Sequence, residues 1–437
     1  MSEDRVPAVN GKRPLPVPDR FARDYILLAL RLDRLEQGLI DSYFGPADLR
    51  DQVDREPVAS ALQIGAEASS LELRLFDEVV ETDRREWLGA QLIALEAQAV
   101  RLSGDPLPYA DYVACCFDLT PKRVPEAVFD AAADELDRLV PPGLTGSSIA
   151  DRLAAWDDGF IVPPDRLRAV SSWLVQRLRE RTDSLLGLPP DEELTLDFVV
   201  DHPWRAYSHY EGAGRSCVDL NTDLPTRAAD LIRLLTHEAY PGHHAERAWK
   251  ERRLVGELGR MEASVSLINT PECLISEGLA DVGEHLVVPD NELVELLVEL
   301  YERAGMAIAA DKPAAREAAA KQARIRRALY SLNAVPANAA LMLHSDGAPR
   351  DEVAGYLWRY LLTTPERAHK QLEFIEHPLW QAYVMVYSEG ERLLQRWLEM
   401  VPPEERTARL GRLFREQVTP GGLTSELKAA GLGPEAW

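Results

Sequence analysis

The sequence predicts a mainly α-helical globular protein with one small region of β-structure, and three observations carry this prediction. Apolar residues recur every three or four positions along most of the 437-residue chain, which is the spacing of an amphipathic helix. Only the region around residue 200 alternates apolar and polar residues as a half-buried strand does. The apolar fraction of 46% and the charged fraction of 28% are those of a globular protein.

The first 190 residues are predicted to be almost wholly helical. Residues 1–20 are polar and rich in proline, which predicts a flexible tail before an N-terminal helical lobe at 21–190. One long amphipathic helix is expected from Phe21 until Gly45 and Pro46 end the pattern. Further helices, each bounded by Pro, Gly or Asp, are predicted at 84–104, 125–140, 148–161 and 164–187.

Residues 191–437 are predicted to form a second lobe that carries the functional site. β-Branched and alternating residues at 194–200 and 215–222 favour a short hairpin or small sheet. Helical spacing resumes at Pro225 and continues through 292–312, 314–333, 350–362 and 365–376. We expect the small sheet to lie beside the helix that follows it.

Charge and composition narrow the partners and the location. The 72 acidic residues exceed the 49 basic residues, and a net charge of -23 repels nucleic acid and anionic membranes. The N-terminus lacks an apolar signal segment and no run approaches 18 apolar residues, so a cytoplasmic protein without membrane spans is expected. The four cysteines show no CxxC pair, which predicts reduced, mostly buried thiols. The sequence does not indicate an oligomeric state.

The string THEAYPGHHAE at 236–246 holds three of the nine histidines of the chain. Apolar residues before it fall on one helical face, so His237 and Glu238 are predicted to lie on a helix. In the HExxH zinc motif two histidines four residues apart share a helix face, and the intervening Glu is the general base. The same residue types indicate a metal site here.

The spacing of this string departs from HExxH, because the next histidines stand six and seven residues after His237. Along an unbroken helix the longer interval spans about 10 Å, too far for two bonds to one ion. Pro241 and Gly242 allow the helix to bulge, and looping out two residues brings His243 to the position of the second ligand. Looping out three would bring His244, which stays the alternative ligand. A helix end whose histidines complement the dipole is the competing interpretation.

A third ligand is predicted in the helix at 270–286, which Thr270 caps. Glu277 interrupts the apolar stripe of this helix, and a buried acid needs a partner such as a zinc ion. Asp281, one turn later, can accept a hydrogen bond from a ligand histidine and fix its tautomer. The alternative is that both acids lie on a solvated face.

Two further sets of residues are candidates for contact with substrate. Trp380, Tyr383 and Tyr387 stand at helical spacing, and although most such stripes belong to the core, Tyr387 is our candidate donor to the oxyanion. The strand at 215–222 would bind an extended peptide if its edge were free. Residues in or beside its entry loop that are candidates to face substrate are His209, Tyr210 and Arg215, and a plain hairpin without contact to substrate is the alternative interpretation of each.

The chain resembles the bacterial family named domain of unknown function 885, whose signature is similar to H-E-x-x-P-G-H-H followed by S-E-G. Here these elements are 237–244 and 276–278, and the family's late Tyr-x-x-Gly looks like 387–390. The resemblance implies an α-helical zincin-like fold similar to thermostable carboxypeptidases, with a cleft between the two helical lobes. It also implies a gluzincin-like site, in which two histidines and a downstream glutamate bind zinc.

These observations lead to one principal hypothesis and two alternatives. The principal hypothesis is a zinc-dependent metallopeptidase in which His237, His243 and Glu277 hold Zn²⁺, Glu238 is the general base and the substrate is a peptide or small amide. The first alternative is a non-catalytic helical binding protein on a degenerate zincin scaffold. The second is a metal-dependent hydrolase of non-peptide amides. No GxSxG elbow, P-loop or dinucleotide fingerprint occurs in the sequence.

Overall fold

The computed structural model describes residues 15–140, 142 and 148–432, and it is mainly helical, with 68% helix and 7% strand. The predicted mainly α fold with small sheets is therefore confirmed. Most of the predicted N-terminal tail lies outside the described residues, and the first helix begins at Arg20. Among the described helices, none combines the length and the apolar character needed to cross a bilayer.

The helices and strands follow one another in three groups along the chain. The first group is α1 Arg20–Leu35, β1 Ile40–Tyr43, α2 Ala47–Arg55, α3 Ala61–Glu78, α4 Thr82–Ser103, α5 Tyr109–Phe117, α6 Glu126–Leu139, α7 Ile149–Asp157 and α8 Pro164–Leu186. The second group is β2 Glu193–Val199, β3 Ala206–Gly212, β4 Arg215–Asn221, α9 Ala228–Glu238, α10 His243–Lys250, β5 Val265–Leu267 and α11 Pro271–Val287. The third group is α12 Asp290–Arg303, α13 Lys312–Tyr330, α14 Val335–His344, α15 Arg350–Tyr360, α16 Pro365–Glu376, α17 Val386–Glu399, α18 Pro403–Leu413 and α19 Pro420–Ala429.

The long helix predicted from Phe21 to Gly45 is wrong in its second half. Helix α1 ends at Leu35, Gly38 adopts a φ of 96°, and the chain then forms β1, which pairs antiparallel with β5. A positive φ is readily available to glycine, so Gly38 can turn the chain where the helical pattern of apolar residues would continue. The partner of β1 lies more than 200 residues away, and local periodicity carries no information about it.

The small sheet has the strand order β2-β4-β3. Both predicted strands, β2 and β4, are present, but they pair in parallel. The antiparallel hairpin is formed instead by β3 and β4, and the sequence analysis did not predict β3. Because β4 is central, with β2 on one side and β3 on the other, the free edge that peptide binding by this strand would require is not present. An aromatic pattern at 207–210 before the Gly212-Ala213-Gly214 turn is the signal for β3 that the sequence holds.

The N-terminal helices pack directly against the part of the chain that carries the site. Arg84 of α4 forms a buried ion pair with Glu262, with 2.7 Å between Nε and Oε1. The indole N–H of Trp87 donates to Glu272 of α11 at 2.8 Å. One continuous cluster of buried apolar residues includes side chains from both predicted lobes. The lobes predicted at 21–190 and 191–437 therefore share a core.

Helices α11 and α17 cross with their backbones in contact. A Cβ atom on Gly278 would lie 2.5 Å from the carbonyl carbon of Gly390, so neither position has room for a side chain. These glycines are the last residues of the S-E-G and Y-x-x-G strings. Their contact brings the segment that carries Tyr383 and Tyr387 beside Glu277.

Candidate metal centre

The chain between α9 and α10 returns sharply enough to place His243 beside His237. Helix α9 ends at Glu238, four residues leave the helix with a cis peptide before Pro241, and α10 starts at His243. The amide of Gly242 donates to the carbonyl of Thr236 at 2.9 Å, and a Cβ atom on Gly242 would lie 1.7 Å from the carbonyl oxygen of His237. The two histidine rings stand nearly perpendicular, with their centroids 4.7 Å apart. The helix is interrupted rather than bulged. The interruption brings His243 closer to His237 than an unbroken helix would allow, as binding to one ion requires.

His237, His243 and Glu277 direct their ligand atoms at one another. The Nε2 atom of His237 lies 3.4 Å from Oε2 of Glu277, and the Nε2 atom of His243 lies 3.5 Å from Oε1. For a tetrahedral zinc ion with bonds of about 2.1 Å, nitrogen and oxygen ligands stand about 3.4 Å apart. Oε2 of Glu277 is buried and accepts no hydrogen bond among the described residues. A cation bound between the three side chains would satisfy this oxygen, so the donor set fits zinc.

Asp281 contacts the ring of His237 on the side opposite Glu277. Its Oδ1 atom lies 3.2 Å from Nδ1 of His237, and the residue is only 2% exposed. Burial favours the neutral form of His237, but the hydrogen bond to Asp281 and the negative charges of Asp281 and Glu277 outweigh it and raise its pKa well above the usual value. A hydrogen bond donated from Nδ1 leaves Nε2, the atom that faces Glu277, free to act as a ligand.

Replacing Asp281 by Asn is expected to weaken zinc binding by about 10- to 100-fold. The amide keeps the size of the side chain but removes the negative charge that orients the ring and makes it more basic. Zinc affinity measured by competition with a chelator checks this result. Asp230→Asn, which neutralises an exposed carboxylate on α9, is the matched control. Equal affinities of Asp281→Asn and the control would contradict the assigned role.

His243 is held by a buried polar network that the sequence analysis missed. Its Nδ1 atom lies 3.3 Å from the hydroxyl of Ser276, which donates to Oε2 of Glu246 at 2.5 Å. The ammonium of Lys250 donates to the other oxygen of Glu246 at 2.5 Å. Burial raises the pKa of Glu246, but Lys250 and His243 outweigh it and lower the pKa, so Glu246 stays ionised. Glu246 stands three residues after His243, a spacing on one helix face that the sequence displays.

Glu238 is the last residue of α9 and follows the first ligand directly. Burial raises its pKa, and the charges of Glu277 and Asp41 act in the same direction against those of His237 and His243. Its side chain is partly exposed. A carboxylate with a raised pKa beside a metal site suits the transfer of a proton from water to a leaving group.

Two tyrosines from the α17 segment complete the site. The hydroxyl of Tyr383 donates to Oε1 of Glu277 at 2.9 Å, and the ring of Tyr387 packs edge-on against that of Tyr383 with centroids 5.4 Å apart. Burial and then the charge of Glu277 raise the pKa of both hydroxyls, so both keep their protons at neutral pH. The sequence analysis considered Tyr383 only as part of an aromatic stripe. Tyr383 stands four residues before Tyr387, and this helical spacing indicates that both side chains lie on the same side of the segment.

His244, the alternative second ligand, faces away from the other two ligands. It is fully buried, with Nδ1 at 2.8 Å from the hydroxyl of Ser216 and Nε2 at 2.8 Å from Glu192. Consecutive residues of a helix point about 100° apart, so only one of the two adjacent histidines can face Glu277. Since both ring nitrogens of His244 are occupied, it does not serve as a ligand in this arrangement.

The three residues expected to face substrate are engaged elsewhere. Tyr210 is buried in the sheet and its hydroxyl donates to Glu251. Arg215 lines a surface cavity of about 570 Å³ whose lining includes none of the three ligands. The Nε2 atom of His209 lies 3.1 Å from Oδ2 of Asp219 on β4. Tyr210 and Arg215 therefore take up positions in the hairpin and at the surface cavity, and a role of these residues in binding substrate stays a prediction.

Comparison of the sequence with protein-family models gives no match, and comparison with curated proteins gives none either. The chemistry of the site must therefore be inferred from its own side chains. Two imidazoles and a carboxylate converge, each imidazole is held by a carboxylate or hydroxyl partner, and a further carboxylate and two protonated phenols stand nearby. This set can bind a divalent cation, accept a proton and donate a hydrogen bond.

Proposed function

We propose that the protein is a zinc-dependent metallohydrolase, specifically a carboxypeptidase-like peptidase of the gluzincin type that acts on peptides in the cytoplasm. The single observation that supports it most is the convergence of His237, His243 and the unpartnered buried oxygen of Glu277, with Glu238 next to His237 in the chain and within reach of their charges. The likeness of the H-E-x-x-P-G-H-H, S-E-G and Y-x-x-G strings to the domain of unknown function 885 family supports the same chemistry. The carboxypeptidase preference rests on this resemblance alone.

Held by His237, His243 and Glu277, a zinc ion would supply a Lewis acid that makes a water molecule more acidic. Glu238 accepts the proton of the attacking water and passes it to the nitrogen of the leaving amine. Asp281 and the Ser276–Glu246 pair keep the two imidazoles in the orientation that presents Nε2. The Tyr383 hydroxyl is committed to Glu277, which leaves Tyr387 as the donor to the oxyanion of the substrate.

Replacing Tyr387 by Phe is expected to lower kcat by about 100- to 1,000-fold with little change in zinc content. The substitution removes only the hydroxyl that donates to the developing oxyanion. Steady-state kinetics on a peptide substrate checks this result. Tyr356→Phe, which removes a hydroxyl from α15, is the control. A kcat within about twofold of the wild type would exclude Tyr387 as the donor.

Hydrolysis of a mixed peptide library is expected to stop when the protein is stripped with a chelator and to return with one equivalent of zinc. Parallel libraries blocked at the N-terminus or the C-terminus show which end is recognised. Cleavage of N-blocked but not C-blocked peptides is the expected result for a carboxypeptidase. Zinc binding without hydrolysis of any peptide would favour a hydrolase of non-peptide amides. Absence of stoichiometric zinc would favour a non-catalytic binding protein on a zincin scaffold.

A further inference from the structure

Four side chains of metal-binding types project from one face of the three-stranded sheet. They are Asp197 of β2, Cys217 and Asp219 of β4, and His209 of β3. Asp197 stands opposite Asp219, and His209 stands opposite Cys217. Residues opposite each other on neighbouring strands share a face, as do residues two apart on one strand. Three strands therefore each contribute at least one donor to the same patch of surface.

Three members of this group, Asp197, Cys217 and Asp219, have the separations of ligands to one ion, and His209 contacts one of them. The Nε2 atom of His209 lies 3.1 Å from Oδ2 of Asp219, and the Sγ atom of Cys217 lies 3.6 Å from Oδ1. One donor atom each from Asp197, Cys217 and Asp219 lie within 4.8 Å of one another. Around a tetrahedral zinc ion, oxygen stands about 3.4 Å from nitrogen and about 3.6 Å from sulfur, given bonds of about 2.1 Å and 2.3 Å. The separation of the Cys217 thiol from Oδ1 of Asp219 matches this geometry, and His209 contacts the other oxygen of the same carboxylate as a hydrogen-bonding partner.

Two members of the group are buried in the sheet and one faces solvent. The residues Cys217 and Asp219 are 6% and 8% exposed, whereas the side chain of His209 is 47% exposed. The buried members are fixed by the central strand, and the exposed imidazole lies where an ion enters from solvent. A site needs both donors of defined position and an entry path.

We propose that Asp197, Cys217 and Asp219 form a second zinc site that joins β2 to β4, with His209 of β3 orienting the carboxylate of Asp219. Three protein donors leave one position of a tetrahedral ion for water. The thiolate selects zinc over magnesium or calcium, which prefer oxygen donors. On binding, the thiol of Cys217 releases its proton to solvent, and His209 keeps its contact with Oδ2 of Asp219. This site shares no residue with the proposed catalytic centre and does not depend on its activity.

Cobalt(II) distinguishes the two sites because only the second contains sulfur. We expect full-length metal-free protein titrated with cobalt(II) to develop a near-ultraviolet sulfur-to-cobalt charge-transfer band. The band is expected to vanish in Cys217→Ser and to persist in His237→Ala, which removes a ligand of the other site. It is also expected to persist in Cys273→Ser and Cys115→Ser, which remove other thiols. The visible cobalt bands of the first site report that Cys217→Ser is still folded.

A second variant guards against misfolding of the buried cysteine variant. His209→Gln changes a half-exposed side chain and is expected to weaken cobalt binding at the sulfur-containing site by at least about tenfold. Absence of the charge-transfer band in the wild type would overturn the proposal and leave His209 and Asp219 as an ion pair. A band that depends on Cys273 instead of Cys217 would also overturn it. Loss of the band in His237→Ala with full retention in Cys217→Ser would assign the sulfur to the first site.

Discussion

Replacing Glu238 by Gln is expected to lower kcat/KM for peptide hydrolysis by about 100- to 10,000-fold while zinc stays bound. Glutamine has nearly the same shape, but its amide accepts no proton at neutral pH. Glu238 is not among the three side chains that converge on the proposed ion, so the metal site itself is retained. Kinetics and zinc content measured on the same preparation check both halves of this expectation.

Glu257→Gln is the matched control for this variant. The side chain of Glu257 is 46% exposed and lies outside the site, so its loss of charge leaves the rate unchanged. Hydrolysis by Glu238→Gln at the wild-type rate, with zinc bound, would contradict the assignment of the general base. A loss of zinc together with activity would instead mean that Glu238 belongs to the metal-binding set.

Replacing His243 by Ala is expected to weaken zinc binding at the site by at least about 100-fold and to abolish hydrolysis. Loss of a residue that only orients a ligand costs about 10- to 100-fold in affinity, and loss of a ligand costs more. Zinc affinity by chelator competition and zinc content after dialysis measure the effect. This substitution leaves all four cysteines unchanged, of which Cys115 is half-buried and Cys116, Cys217 and Cys273 are buried.

His244→Ala is the neighbouring control, and it is expected to retain zinc. The substitution is expected to destabilise the fold instead, because Ser216 and Glu192 lose a buried hydrogen-bonding partner. The free energy of unfolding is expected to fall by about 2–3 kcal/mol. Denaturant unfolding separates this effect from metal binding. Loss of zinc in His244→Ala with retention in His243→Ala would reverse the assignment of the two histidines.

The fold was predictable from the sequence where the determining pattern is local. The apolar repeat and the boundary residues located α4, α6, α8 and α11 to within a few residues. Pairing of distant segments was not predictable from periodicity, which is why β1, β5 and the central position of β4 were missed. A strand pattern states that a segment is extended, but it does not state which neighbour supplies the hydrogen bonds on each side.

The same distinction applies to the candidate site. His237, Glu238 and His243 stand in one string, and Pro241 and Gly242 indicate the interruption of the helix that brings the two histidines together. Glu277 and Asp281 stand out because they interrupt an apolar helix face. The contact of Tyr383 with Glu277 depends on the crossing of α11 and α17, where Gly278 meets Gly390, and no local pattern specifies that crossing.

Anomalous diffraction at the zinc edge from crystals of the full-length protein grown with zinc tests the central claim most directly. The account predicts a peak bounded by Nε2 of His237, Nε2 of His243 and a carboxylate oxygen of Glu277, about 2.1 Å from each. A peak beside Cys217 would bear on the second site alone. No anomalous density between the two histidines and Glu277, in crystals that contain zinc, would contradict the proposed metal centre and the hydrolytic function that depends on it.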